Sequence, residues 1–335
     1  MTLFVISDLH VGAVRTGGTT PASAYALRQY LLEGLAQLLM EAGNRDVMIL
    51  GDLFDTQAIS LADLMKAYQI ILRWKLAHPE ARLILVAGNH DLSKNSATLS
   101  SFQFLCGLLQ EQDRVVTVFE PTMTPYGYVI PHLPNQDLFD LALANVPPCK
   151  VLFLHCNYAN EFAQHSDHSL NISKEQAEAA PVERIVIAHE HNARRMLGSK
   201  VWIPGNQLAS SVSDCMERKD KHVTLVELDG SVAFAHWPRP DYVERGWREL
   251  AGSTEAFIRV VGDAEAHEAA DVVAAISRLR QTAPAFVITN AVDIKSDDAT
   301  EEFAASLEEV RSFDVLDALK KLLTPEEVAI IESLK

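Results

Sequence analysis

The sequence predicts an α/β fold: a two-sheet β-sandwich flanked by helices, followed by a small α/β module and C-terminal helices. Two observations lead to this prediction. Short runs rich in β-branched residues recur along residues 1–236, and stretches with helical spacing separate the first three runs. Strand-helix-strand order favours parallel pairing, whereas the later runs follow one another more closely, which indicates a second sheet with helices outside.

Ten runs predict strands in the larger part of the chain. In order they are TLFVIS, DVMILG, RLILVA, VVTVF, YVIP, KVLFLH, RIVIA, KVWIP, HVTLVEL and SVAFAH. Between the first two runs, leucines recur on one face of a predicted helix: Leu27, Leu31, Leu35 and Leu38. A second helix with a start near Asp63 has the apolar face Leu64, Ile71 and Trp74.

A domain boundary is predicted at residue 240. Pro238 and Pro240 interrupt the last run, and the composition then becomes acidic. The runs FIRVV and AFVITNA flank the helical pattern DVVAAISRLRQ, so residues 241–298 are predicted to form the small α/β module. Helical patterns from Thr300 onward predict a C-terminal helical segment over residues 299–335.

The charge distribution is acidic throughout. The formal net charge is −16, and residues 241–335 hold 20 Asp and Glu against 10 Lys and Arg, leaving 25 against 19 in residues 1–240. Neutralising nucleic-acid phosphates requires clustered Lys and Arg, so this balance argues against a generally basic binding surface. Bound divalent cations would add positive charge where a phosphate sits, and net charge alone therefore does not exclude a nucleic-acid substrate.

The compartment is predicted from three further features. No apolar run approaches the roughly 20 residues that span a bilayer, and the chain opens on a strand-like run rather than a signal peptide. Four cysteines are scattered with no C-x-x-C pair, which favours reduced thiols over disulfides or a zinc ribbon. We expect a soluble, cytoplasmic protein without a membrane partner.

Metal-binding residue types follow five of the predicted strands, at the point where each strand ends. Loops gather into a site at this end of an α/β sheet. Carboxylates, carbonyl oxygens and imidazoles are the ligands that a pair of hard or borderline divalent ions requires. The residues at the strand ends are Asp8, His10, Asp52, Asp55, Asn89, His90, His155, His189 and His191.

Two local features are expected to bring these side chains together. Along an extended segment, residues two apart point to the same side. Asp8 and His10 can therefore direct their side chains to one place, and so can His189 and His191. Gly51 and Gly88 are expected to let the backbone turn sharply beside the metal ions.

The motifs D-x-H, G-D-x-x-D, G-N-H-D, a single strand-end His and H-x-H occur in one order, in which they resemble the calcineurin-like metallophosphoesterases. The resemblance covers residues 1 to about 236. It implies that His90 is the general acid for the leaving oxygen and that Asp55 orients it. It also implies two metal sites, with ligands Asp8, His10 and His191 for one ion, Asn89, His155 and His189 for the other, and Asp52 as the bridge.

The cofactors implied are two divalent ions, with Mn favoured and Fe, Zn or Mg as alternatives. Two further carboxylates have competing interpretations. Asp55 is equally compatible with a helix N-cap, and Asp91 is interpreted as a loop carboxylate that positions its neighbours. Thr56 and Asp91 stand where phosphoprotein phosphatases have Arg and Glu, which argues against that branch.

The segment IPGNQLASSVSD, residues 203–214, is similar to a segment of SbcD-type DNA repair nuclease subunits, with Asn206 in place of a serine. This resemblance implies a DNA phosphodiesterase whose residues 241–298 form a capping module. It further implies that residues 313–335 bind an SbcC-type ATPase, although their apolar faces are equally compatible with packing on the module. The compact length is similar to phage versions, whose compartment would be the host cytoplasm.

Two other hypotheses about function stay open. The first is a stand-alone esterase acting on a small phosphodiester, and the second is a non-catalytic architectural subunit of a DNA-processing complex. A homodimer is compatible with each of them. The complete set of metal-binding residues argues against the architectural hypothesis.

Overall fold

The computed structural model describes residues 1–15, 18–93, 98–160, 170–216 and 220–295. Within these ranges two six-stranded sheets pack face to face, and helices cover their outer faces. The predicted α/β sandwich flanked by helices is confirmed. The C-terminal helical segment predicted for residues 299–335 lies outside the described residues.

The first sheet combines four parallel strands with an antiparallel hairpin. Its strands are, in spatial order, β14 (Val232–Trp237), β13 (Lys221–Glu227), β1 (Thr2–Ile6), β2 (Asp46–Leu50), β3 (Leu83–Val86) and β4 (Val115–Val118). Strands β1 to β4 pair in parallel, as strand-helix-strand order predicts, and β13 pairs antiparallel with both β1 and β14.

The second sheet has a parallel centre and antiparallel edges. Its strands are, in spatial order, β11 (Arg194–Met196), β12 (Val201–Ile203), β10 (Val182–Ala188), β7 (Cys149–His155), β6 (Gly127–Ile130) and β5 (Thr122–Thr124). Beside it lies a short ribbon of β8 (Asn157–Tyr158) and β9 (Asn171–Ile172). Because β7 and β10 pair in parallel, their carboxyl ends lie together.

Six α-helices occur in the described ranges: α1 (Pro21–Ala42), α2 (Leu61–Ala77), α3 (Ser101–Leu109), α4 (Gln136–Ala144), α5 (Lys174–Ala179) and α6 (Ala269–Thr282). The Ser60 hydroxyl accepts the Asp63 N–H and caps α2, so this helix starts at Leu61, close to the predicted start near Asp63. Across the described part of the chain, no helix is both long and apolar enough to cross a bilayer.

The side chains of β1 show how the layers are joined. Leu3 and Val5 pack between the two sheets, whereas Phe4 and Ile6 pack against the helices on the outer face. This alternation is the period of two of a strand that is covered on both sides. All four side chains are buried, and burial of each stabilises the fold by roughly 1.5–3 kcal/mol.

A third sheet follows the sandwich, with parallel strands β15 (Tyr242–Gly246), β16 (Phe257–Glu265) and β17 (Val287–Lys295). Its first strand was not predicted, because YVERG lacks a β-branched run. Helix α6 packs on this sheet through Val272 and Ile276. The chain passes from the first sheet to the third between β14 and β15, while the domain boundary at residue 240 stays a prediction.

Candidate metal centre

Side chains that follow strands of both sheets converge at one edge of the sandwich. In the first ligand group, defined as Asp8, His10 and His191, one ligand atom of each residue lies within 4.8 Å of the others. In the second ligand group, Asp52, His155 and His189 meet the same criterion. Asn89 belongs to the second group, because its Oδ1 lies 3.0 Å from His155 Nε2 and 2.9 Å from His189 Nδ1.

Unsatisfied ligand atoms indicate that cations fit these groups. Asp8 Oδ2 accepts the His189 N–H at 3.2 Å, but Asp8 Oδ1 is buried without a hydrogen-bond partner. The Nε2 atoms of His10 and His191 face each other at 3.1 Å. Buried carboxylate oxygens and imidazole lone pairs are costly unless they are paired, and a bound cation would satisfy both.

Hydrogen bonds on the opposite ring nitrogens suit the imidazoles to metal binding. His155 Nδ1 lies 3.1 Å from the Leu50 carbonyl oxygen, and His191 Nδ1 lies 2.6 Å from Asp214 Oδ1. An N–H donated from Nδ1 leaves the Nε2 lone pair for a metal ion and fixes the orientation of the ring. The residues therefore fit two divalent ions.

Asp52 belongs to the second ligand group and contacts His90 and His155. Its Oδ1 accepts the His90 N–H at 2.9 Å, and its Oδ2 lies 3.3 Å from His155 Nε2. Burial acts to raise the pKa of Asp52, but the charge and hydrogen bond of His155 outweigh burial and lower it. Burial acts to lower the pKa of His155, and the charge of Asp52 raises it to about 9. The bridging role of Asp52 stays a prediction.

The backbone reaches the site through left-handed turns. Strand β1 ends at Ile6, and Asp8 and His10 have φ of 53° and 48°; Asp52 and His189 have φ of 50° and 94°. The expected extended backbone is therefore wrong, although Asp8 and His10 do meet in the first ligand group, whereas His189 and His191 belong to different groups. Such conformations cost of order 1–3 kcal/mol each in non-glycine residues, and they persist where surrounding contacts fix them. Here the Asp8 N–H donates to Gly51 O at 3.1 Å.

Gly51 and Gly88 serve the site for different reasons. Gly51 has φ of 84°, and a Cβ there would lie 2.1 Å from His155 Nδ1. Gly88 lies outside the left-handed region, and a turn follows it directly at residues 89–91. A Cβ at Gly88 would lie 2.2 Å from Asp52 Oδ1, so that position requires glycine for the close approach of the two loops.

His90 lies beside the first ligand group and lines a cavity of 890 Å³. Its Nδ1 is 2.6 Å from the backbone carbonyl oxygen of Asp55. The carbonyl can only accept, so Nδ1 carries the proton and Nε2 is the ring atom left for a substrate. This geometry is compatible with the predicted role as a general acid.

Asp55 contacts His90 through its backbone and uses its carboxylate elsewhere. The carboxylate accepts two hydrogen bonds from Arg15, at 3.0 and 2.8 Å, and lies 3.3 Å from His10 Nδ1. The alternative that Asp55 caps a helix is wrong, because Ser60 caps α2. The orienting role of Asp55 stays a prediction.

Three residues that contact the site, Asp214, Ser210 and Arg15, were missed as functional candidates. Asp214 accepts from His191, and its Oδ2 accepts the backbone N–H of Ser210 at 2.8 Å. Arg15 binds both Asp55 and Ser210. The SSVSD sequence carries a weak turn signal for Asp214, but nothing near Arg15 in the sequence indicates its partners. Asp91 accepts the N–H groups of Phe54 and Gly88, as expected of a loop carboxylate.

A helix-flanked two-sheet sandwich with paired imidazole and carboxylate groups at the strand ends defines a metal-dependent hydrolase centre. Residues 1–203 match the family model of the calcineurin-like phosphoesterases, and the chain belongs to that family. It is therefore a metal-dependent hydrolase of phosphoesters with candidate ligand groups for two divalent ions. No curated protein gives a significant sequence match.

The solved structures that are similar to this chain include two of low sequence identity. Phosphopantetheinyl hydrolase (PptH) from Mycobacterium tuberculosis is 14% identical, with a TM-score of 0.38 over 65% of this chain and 92% of the other. The protein TT1561 of Thermus thermophilus is 12% identical, with a TM-score of 0.40 over 70% of this chain and 98% of the other.

Proposed function

We propose that this protein is a DNA phosphodiesterase, the nuclease subunit of an SbcC/SbcD-like DNA repair complex. The observation that carries the proposal is the cavity of 890 Å³ beside both ligand groups, whose lining residues are mostly of polar types. Among the described residues that line it, histidine is the aromatic type present, so the lining offers no Phe, Tyr or Trp for base stacking. Base stacking on such side chains contributes about 1–3 kcal/mol per base. The cavity thus favours a sugar-phosphate backbone over a base-specific ligand.

The segment that resembles SbcD-type subunits supports the same proposal by its location. Residues 203–214 run from the end of β12 to Asp214, which contacts His191. The hydroxyl-bearing Ser210, Ser211 and Ser213 of this segment line the cavity. The resemblance therefore involves residues that contact the candidate metal ligands and the space for substrate.

The residues of this chain divide the chemistry between them. When bound, two divalent ions would polarise phosphoryl oxygens and lower the pKa of a water. The two ligand groups, with Asn89, would hold those ions. In its imidazolium form, His90 keeps the Nδ1 proton on the Asp55 carbonyl and carries a second proton on Nε2, which it can donate to the leaving oxygen. We propose Mn as the native metal, because the mixed imidazole, carboxylate and amide set fits it and SbcD-type subunits use it.

The test compares two substrates under three metal conditions. Linear duplex DNA and bis-p-nitrophenyl phosphate are each incubated with Mn, with Mg and without metal. We expect Mn-dependent cleavage of the DNA by the wild type and loss of both activities in Asp52→Ala, because no neighbour replaces that carboxylate. Hydrolysis of the small ester without any DNA cleavage would contradict the nuclease proposal and leave the family activity intact.

A second candidate function is a stand-alone esterase acting on a small phosphodiester. The observation in its favour is charge: the net charge is −16, and among the described residues lining the cavity Arg15 is the single Lys or Arg. DNA binding gains affinity from several neutralised phosphates. Under the nuclease proposal, the SbcC-type ATPase would supply that basic surface. We place the proposed nuclease in the cytoplasm, where its four free cysteines would stay reduced.

A further inference from the structure

The guanidinium of Arg15 connects two loops that lie behind the candidate metal ligands. It donates to both oxygens of Asp55, to the Ser210 hydroxyl at 2.7 Å and, from Nε, to the Ser210 carbonyl at 3.1 Å. Four of its five N–H groups are therefore used within the protein. The side chain is 29% exposed, so the protein rather than solvent fixes its position.

Each partner of Arg15 is connected to one histidine of the first ligand group, Asp55 directly and Ser210 through Asp214. Asp55 Oδ1 lies 3.3 Å from His10 Nδ1. On the other side, the Ser210 N–H donates to Asp214 Oδ2, and Asp214 Oδ1 lies 2.6 Å from His191 Nδ1. Two series of contacts thus lead from the Arg15 guanidinium to His10 and to His191, whose Nε2 atoms are 3.1 Å apart.

The second ligand group is held by different contacts. His155 Nδ1 is fixed by the Leu50 carbonyl oxygen, and Asn89 Oδ1 lies between the rings of His155 and His189. None of the hydrogen bonds described for Arg15 ends on these residues or on their partners. A change at Arg15 should therefore affect the two groups unequally.

We propose that Arg15 is a positioning residue that orients His10 and His191 through Asp55 and through Ser210 and Asp214, and so sets the affinity of the first ligand group for its ion. The alternative is that Arg15 binds the substrate phosphate directly. Its consumed N–H groups favour positioning, because a single N–H is left for a ligand. The proposal holds for any phosphoester substrate and does not depend on DNA.

Direct titration of metal-free full-length protein with MnCl₂ tests the proposal. Arg15→Met keeps the length of the side chain and removes the hydrogen bonds. Changes in groups that orient metal ligands typically lower affinity 10- to 100-fold, so we expect one of two Mn equivalents to weaken by about that factor. The other equivalent should bind as in the wild type.

Arg82→Met is the matched control. Arg82 also pairs with a carboxylate, Asp46, at 3.3 Å, and its side chain is 27% exposed, but neither residue lines the cavity. This variant should bind both equivalents with wild-type affinity. If Mn binding were weakened equally in Arg15→Met and Arg82→Met, the cause would be general destabilisation of the fold, and the proposal would be overturned.

Two further measurements separate positioning from substrate binding. The first is a double-mutant cycle of Arg15→Met and Asp55→Asn. If Arg15 acts through Asp55, the double variant should lose less Mn binding free energy than the sum of the losses in the two single variants. Arg15→Lys, which keeps the charge without the two-pronged contact, should weaken the same equivalent and covers the case in which Arg15→Met does not fold. A raised KM with unchanged Mn affinity in these variants would show direct substrate binding and overturn the proposal.

Discussion

The candidate site depends on what each imidazole contacts with its second ring nitrogen. His90 and His155 place Nδ1 against backbone carbonyl oxygens, whereas His191 places it against the Asp214 carboxylate. A carbonyl can only accept, so it fixes the tautomer without adding charge. A carboxylate also makes the imidazole a stronger electron donor, which strengthens its bond to a metal ion. Both kinds of partner leave Nε2 facing the site, so the ligand His155 and the predicted proton donor His90 share the carbonyl type of contact.

At the residue scale, His90→Asn should slow turnover by about 10²- to 10⁴-fold, because general-acid assistance to the leaving oxygen is lost. No ligand atom of either group is removed, so the variant should bind two Mn ions. Steady-state kinetics on bis-p-nitrophenyl phosphate and a metal titration check both expectations. Loss of one Mn equivalent would identify His90 as a ligand instead of the acid.

Metal binding should also depend on pH through His155. Without metal, Asp52 raises the pKa of His155 to about 9 from its ordinary 6.5, against the opposing effect of burial. The charged pair therefore stabilises the metal-free fold fully below pH 6.5, and this contribution is lost as the pH rises from 6.5 through 9. His155 must release that proton to bind metal, so Mn affinity should increase across the same range.

Calorimetry in two buffers with different ionisation enthalpies measures this proton release. At pH 7.5 we expect close to one proton released by the His155 site, and His155→Asn should not release it. Mn affinity that stays constant between pH 6.5 and 9 would contradict the assignment of His155 as a ligand that is protonated in the metal-free state.

At the scale of the elements, the loop after β2 determines where His155 can lie. Gly51→Ala adds a Cβ 2.1 Å from His155 Nδ1 at a φ of 84°. Gly198→Ala is a matched control, because Gly198 has φ of 59° and ψ of 31° and no atom lies within 4 Å of the added Cβ. Left-handed strain costs roughly 1–2 kcal/mol in either variant.

Thermal unfolding and Mn titration distinguish the two glycine variants. Both should unfold at lower temperature than the wild type because both carry the strain. Gly51→Ala alone should also weaken metal binding by the second ligand group, since His155 must move. Wild-type affinity for two Mn ions in Gly51→Ala would show that the loop has room to relax.

On the scale of the whole molecule, the third sheet rests on the sandwich through aromatic contacts with α1. The ring of Tyr30 lies 5.0 Å from that of Phe286 and 6.4 Å from that of Phe257, and the Ile288 N–H donates to Gly18 O at 2.8 Å. The module is thereby fixed on the helical side of the first sheet. Residues 296–335 continue from it and lie outside the described residues.

We propose that residues 313–335 bind an SbcC-type ATPase through the apolar face Leu316, Leu319, Leu322 and Leu323. Deleting residues 313–335 should abolish co-purification with that ATPase, while Mn-dependent hydrolysis of bis-p-nitrophenyl phosphate continues at the wild-type rate. Unchanged binding of the ATPase by the truncated chain would contradict the proposal. A fall in the unfolding temperature would instead favour packing of this segment on the module.

Periodic and local features were predictable from the sequence. The strand runs, the leucine face of α1 and the ordered polar residues at the strand ends each depend on neighbours within a few positions. They were sufficient for the sandwich and for the family, both of which are confirmed. The short strand β15 was missed, because its pairing with β16 is a tertiary contact.

The sequence by itself determined which ligand types this protein offers and the strand ends that present them. Only the tertiary structure decided how those ligands are held. Arg15 and Ser210 are separated by 195 positions, and no local period relates residues so far apart. The left-handed turns at Asp8 and His189 likewise follow from the packing of one loop against another, which fixes conformations that an isolated segment would avoid.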